Sequence, residues 1–97
     1  MNEAYVERVL AAVETVAPGH VTTYGLVADR VGGGPRQVGS VLSHFGHSVP
    51  WWRCVRADGR LAPHLMLDAQ EHWALEKTPV KNGRVDMALA VDPDFVG

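Results

Sequence analysis

Thr23-Tyr24-Gly25-Leu26-Val27-Ala28-Asp29-Arg30-Val31-Gly32-Gly33-Gly34-Pro35-Arg36-Gln37-Val38-Gly39-Ser40-Val41-Leu42-Ser43-His44-Phe45 decides the fold. Thr23 is a good N-cap, and Leu26, Val27 and Val31 give a helix from Tyr24 to about Val31 a side to bury. Three glycines break it. Pro35 suits the first turn of the next helix, where a missing N–H is no loss, and Val38, Val41, Leu42 and Phe45 mark its buried stripe. The other face, with Arg36, Gln37, Gly39, Ser40, Ser43 and His44, is small or polar, so no bulky side chain holds it away from a DNA groove. Two short helices joined by a glycine turn, the second with such a face, predict a helix-turn-helix. A helical hairpin with no DNA partner fits the same periodicity.

Working outward, Asn2 can cap a first helix to about Val16, with Val6, Val9, Leu10, Val13 and Val16 on one apolar face, before Pro18-Gly19 ends it. Downstream lies Val49-Pro50-Trp51-Trp52-Arg53-Cys54-Val55, which sets two indoles, a guanidinium and the only thiol side by side. Indoles offer flat faces on which an unstacked base can lie, and they also fill small cores. Asp58-Gly59 predicts the tip of a hairpin between Cys54-Val55-Arg56 and Arg60-Leu61-Ala62. A fourth helix is expected from Leu65 to about Lys77, with Leu65, Ala69 and Trp73 at four-residue spacing, which makes Trp73 a core residue. Asn82-Gly83 marks another turn, followed by a short strand over Arg84 to Val91, and the residues from Asp92 to Gly97 are expected to fray. The resulting fold class is α+β, mainly helical: a winged-helix-like domain with short β-hairpin elements, spanning residues 1–97 as a single domain.

Ninety-seven residues suffice for one modest core without staples. One cysteine excludes a disulfide framework and a cysteine-rich zinc site, which suggests a reducing, intracellular setting. The His44/His47 spacing alone makes no metal site, and none is expected. There is no signal-peptide order and no apolar run near the roughly 20 residues of a membrane span, so a soluble cytoplasmic protein, nucleoid-associated if bacterial, is expected. The net charge of −2 is unevenly spread: Arg30 to Arg60 holds five arginines and one acid, whereas the remainder holds four basic and ten acidic residues. A basic middle in an acidic chain is compatible with a phosphate-binding face.

Four stretches in order, Val21-Thr22-Thr23-Tyr24-Gly25, Pro35-Arg36-Gln37-Val38-Gly39, Val49-Pro50-Trp51-Trp52-Arg53 and Gly83-Arg84-Val85-Asp86, resemble the alkyltransferase-like proteins. These are similar to the DNA-binding domain of the O6-alkylguanine-DNA alkyltransferases with the nucleophile replaced. The resemblance implies that Tyr24 presses on the phosphate of the target nucleotide and that Arg36 enters the base stack in its place. Gln37, Gly39 and Ser40 would share the DNA-binding helix with Arg36. Trp51 stands where the transferases carry the alkyl-accepting cysteine, and Trp52 where they carry a histidine that helps activate it, so neither a catalytic residue nor a cofactor is implied. Pro50, Trp51, Arg53 and His64 would form the lesion pocket, with Arg53 tying the pocket strand to its surroundings. His64 departs from the family, whose better-known members carry an arginine there; Arg60 is the nearest cation in sequence.

The implied function is a monomeric, non-enzymatic sensor that binds duplex DNA containing O6-alkylguanine, flips the damaged nucleotide, and flags it for nucleotide excision repair proteins. Two rivals are a self-alkylating transferase using Cys54 and a helix-turn-helix transcription regulator. The first is opposed by spacing, since three strand positions span roughly 10 Å and reacting atoms must approach within about 3–3.5 Å. The second usually reads operators as a dimer, and no dimer element is evident.

Overall fold

Asn2 opens the first helix by accepting, at Oδ1, the N–H groups of Ala4 (2.8 Å) and Tyr5 (3.3 Å). In the computed structural model, which describes residues 2–95, α1 runs Glu3–Glu14. It stops short of Val16 because the Thr15 hydroxyl donates to the Ala12 carbonyl (2.7 Å) and the last N–H groups bond three residues back. The next two helices match the expected bounds. Thr23 Oγ1 accepts from the Leu26 N–H (3.1 Å) and starts α2, Tyr24–Val31; Pro35 starts α3, Pro35–Phe45. The turn between them needs glycine. Gly32 and Gly33 have φ of 96° and 76°, and a β-carbon on Gly33 would meet Gln37 Oε1 at 2.5 Å and the Tyr5 hydroxyl at 2.6 Å. That hydroxyl donates to the Gly32 carbonyl (3.0 Å) and fastens α1 to the turn.

Val6, Val9, Val13, Val16, Val27, Val38 and Val41 form the core of this helical half. Phe45 departs from the expected stripe and is 42% exposed, because α3 ends there and the chain turns away. Phe95 enters this core instead. The expected fraying of Asp92 onward is therefore corrected: Pro93–Phe95 is a turn of 3-10 helix, and Arg30 lies 3.8 Å over the Phe95 ring while donating to the Asp94 carbonyl (3.2 Å). Val96 and Gly97 lie outside the described residues.

The second half is built from short pieces. Trp51–Arg53 is a 3-10 turn, and β2, Cys54–Val55, pairs in parallel with β1, Thr22–Thr23. The expected hairpin from Cys54 to Ala62 thus keeps its turn and loses its arms. Arg56 N–H bonds the Arg60 carbonyl (2.9 Å), but β2 has already paired with β1, and the Leu61 N–H points to Met66 Sδ (3.4 Å). Gly59, at φ 82°, closes the turn and accepts the Val85 N–H (3.0 Å) at its carbonyl. A 3-10 turn over Pro63–Leu65 leads into α4, Met66–Glu76.

Asn82-Gly83 joins β3, Val80–Lys81, to β4, Arg84–Val85, in an antiparallel hairpin. The strand expected to reach Val91 stops at Val85, since Met87–Ala90 coils into the short helix α5. Val21 then pairs with Val91 across the fold. The second core gathers Val21, Val55, Leu61, Ala69, Trp73, Val85 and Ala90. Side-chain alternation along β2 places Cys54 in the first core and Val55 in the second. Among the described residues, no helix is long and apolar enough to cross a membrane.

Candidate nucleic-acid interface

Where the two halves meet, a cleft of about 890 Å³ opens, within the roughly 300–1,000 Å³ typical of ligand pockets. The helical half contributes Tyr24, Arg36, Gly39, Leu42 and Ser43 to its wall; the other half contributes Trp51, Arg56, Leu61 and His64. Arg36 reaches it because Pro35 fixes the start of α3 there, and Gly39 adds no side chain one turn later. Of the residues singled out in the sequence, Tyr24, Arg36, Gly39, Trp51 and His64 are brought together.

Trp51 sits half-buried at the inner wall and is held by its neighbours. Its ring stands edge-on to Trp52 (centroids 5.6 Å, 86°) and to His72 (5.8 Å, 81°). Trp52 in turn lies flat on His72, at 3.6 Å and 5°. Only one of the two indoles faces the cleft; Trp52 is its support. Behind both, the fully buried Trp73 donates its indole N–H to the Trp52 carbonyl (2.8 Å), which pins the 3-10 turn to α4.

Arg53 lies outside the cleft lining and makes the tie from the pocket strand to its surroundings. Its Nε donates to Glu76 Oε1 (3.0 Å), its Nη2 to Glu76 Oε2, and its Nη1 to the Val16 carbonyl (3.0 Å). The guanidinium therefore ties the Trp51–Arg53 turn to the ends of α4 and α1, away from the cleft. Burial pushes the Glu76 carboxyl up, but the hydrogen bonds and charge of Arg53, with the Gly19 N–H, outweigh it and hold the group below its ordinary range. Pro50 lies outside the cleft lining, as do Gln37 and Ser40 on α3 and Arg60 beyond the turn. Gln37 accepts the Gly34 N–H (3.1 Å) and so helps start α3.

Tyr24 spans both halves, packing against each core. Burial pushes its hydroxyl up to about 12, helped by Cys54 and opposed by Arg56. It is therefore a neutral hydrogen-bond donor at physiological pH. Cys54 is fully buried, and desolvation pushes its thiol well above the usual thiol range. It contributes nothing to the cleft.

Arg56, His47, Leu61 and Leu65 line the cleft without having been assigned to the site from the sequence. In the sequence Arg56 was visible as one of the arginines of the basic middle and as the end of an expected hairpin arm; that its side chain faces the cleft depends on how β2 pairs, which no local pattern reveals.

A family model described as the DNA-binding domain of 6-O-methylguanine DNA methyltransferase matches residues 4–79. The DNA base-flipping protein of Escherichia coli (strain K12) is 33% identical over 94 residues, covering 89% of this chain and 72% of the relative, and that of Shigella flexneri matches equally. Among solved structures, S. pombe Atl1 in complex with damaged DNA containing O6-carboxymethylguanine superposes with a TM-score of 0.81 at 20% identity, covering 95% of this chain and 97% of Atl1. That is a likeness of fold. The Mycobacterium tuberculosis O6-methylguanine methyltransferase gives 0.68 at 26% identity, over 84% of this chain and 53% of that enzyme.

Proposed function

Because this chain belongs to the family of the 6-O-methylguanine DNA methyltransferase DNA-binding domain, we propose that it is a non-enzymatic sensor of DNA damage that binds O6-alkylguanine in duplex DNA and turns the damaged nucleotide into the cleft. The observation that carries this is the cleft itself: a recognition-helix arginine and an indole share its wall, and the molecule's one thiol is sealed in the helical core and absent from the cleft lining. An alkyl group on a base edge can be tested by a pocket only once the base leaves the stack.

In this role Trp51 stands at the position of the family nucleophile and offers a flat apolar wall with no group able to accept an alkyl carbon. Arg36, exposed at the second position of α3, fills the gap left in the duplex; its planar cation stacks on bases and hydrogen-bonds the unpaired partner. Tyr24 donates to the phosphate of the turned-out nucleotide. His64, on the 3-10 turn across the cleft, donates to the extruded base. Gln37, Gly39 and Ser40 follow the groove along α3, and affinity comes chiefly from phosphate contacts. The bound lesion is then handed to nucleotide excision repair proteins.

Fluorescence anisotropy with duplexes that differ only in one O6-methylguanine tests the reading. Tighter binding to the damaged duplex is expected. Equal affinity for both would return the helix-turn-helix to ordinary DNA binding.

A further inference from the structure

Arg53 and Arg56 lie three positions apart and are opposites. The first is held by Glu76 and the Val16 carbonyl. The second is exposed on the cleft wall and, among the described residues, makes no salt bridge or side-chain hydrogen bond. Its backbone is nevertheless fixed: the Arg56 N–H bonds the Arg60 carbonyl and the Arg56 carbonyl accepts the Gly59 N–H, both at 2.9 Å. The nearest carboxylate in sequence, Asp58, accepts the Arg60 N–H (3.0 Å) within the same turn and is not paired with the guanidinium. No aspartate or glutamate lines the cleft, although the whole chain is acidic. Tyr24 and Arg56 both line the cleft, one from each half.

We propose that Arg56, which lines this cleft together with Tyr24, is an anion-binding residue that takes a negatively charged oxygen of the ligand. The inference rests on the damage-sensor reading. An unpaired guanidinium on a fixed backbone beside apolar walls and a hydroxyl donor is arranged for charge-assisted hydrogen bonds. Two sources supply such an oxygen: a backbone phosphate of the duplex lying along the cleft, or an O6 substituent that ends in a carboxylate.

The test compares the unaltered protein with Arg56→Ala and Arg56→Lys by anisotropy over a salt series. Three duplexes are used: undamaged, O6-methylguanine and O6-carboxymethylguanine. Circular dichroism melts of both variants should match the parent, since the side chain is exposed. With the phosphate as source, Arg56→Ala weakens binding to all three duplexes by a similar factor, about tenfold, and the salt slope falls by about one. With the carboxylate as source, the loss is confined to the carboxymethyl duplex. Arg56→Lys, which keeps the charge, should retain most of the affinity. Affinities within twofold of the parent on every duplex, with an unchanged salt slope, would overturn the assignment. If the unaltered protein prefers neither lesion, the sensor reading fails by itself, and the salt slope on undamaged duplex still decides whether Arg56 holds phosphate.

Discussion

The two halves of this molecule are held together in different ways. In the helical half, α1, α2 and α3 bury valines that recur at three- and four-residue spacing, and each helix is started by a cap or proline next to it in sequence. In the tryptophan half, strands are two residues long and nearly every tie is long-range: Trp73 to the Trp52 carbonyl, Arg53 to Glu76, Val85 to Gly59, Val21 to Ala90. The first half is specified by repetition and the second by single contacts. The cleft lies on the seam, so the proposed recognition draws on both. Substitutions should accordingly cost most where one residue carries several ties.

Trp73→Ala is expected to have the largest effect, about 3–5 kcal/mol, because it empties the second core and frees the Trp52 carbonyl. A urea melt measures it; a loss below about 1 kcal/mol would mean that this half repacks freely. Trp73→Phe keeps most of the apolar area but leaves the carbonyl unpaired, and should cost about 1–3 kcal/mol.

Arg53→Ala should follow, at about 2–3 kcal/mol, near the low end for breaking a buried pair because both side chains keep 14% of their surface exposed. The pair also sets an acid limb. Glu76 is held below its ordinary 4.5 in the folded state, so its contribution is fully present above that value and is lost as pH falls through the lowered one. Melts of Glu76→Gln from neutral to acid pH should be flatter there than those of the parent. An identical acid limb would show that another carboxylate is responsible.

Arg36→Ala tests the helical half as a working surface and not as a structure. Binding to damaged duplex should weaken about tenfold, or roughly 1.4 kcal/mol, with the melting curve unmoved. A fluorescent base analogue at the lesion should report less extrusion, and unchanged fluorescence would remove the role of filling the stack. The smallest effect is expected of Thr23→Ala, about 1 kcal/mol for a lost cap. A much larger value would contradict the local character of that half.

The same contrast explains what could be read from sequence. Thr23, Pro35 and the three glycines carry their signals next to the elements they bound, so α2 and α3 were legible to the residue. The partner of β2 was not, because a two-residue strand has no period and Asp58-Gly59 pointed to a hairpin that β1 pre-empts. Phe95 was missed for a similar reason: one aromatic near a terminus gives no pattern, and only Arg30 and the first core show where it goes. At the site, Tyr24, Arg36, Trp51 and His64 followed from resemblance and share one cleft. Arg53 belonged to the same motif but faces the other way, since Glu76 and the Val16 carbonyl capture it. That Arg56 belongs to the cleft needed the pairing of β2 to be seen.

The claim that a cleft walled by an indole senses damage without chemistry is tested most directly by mass. The protein is incubated with duplex carrying O6-methylguanine, the complex is dissociated, and both components are weighed by intact mass spectrometry. A lesion sensor whose only thiol is buried with its pKa raised returns both masses unchanged after tight binding. A methyl gained by the protein and lost from the DNA would contradict that and make the molecule an alkyltransferase.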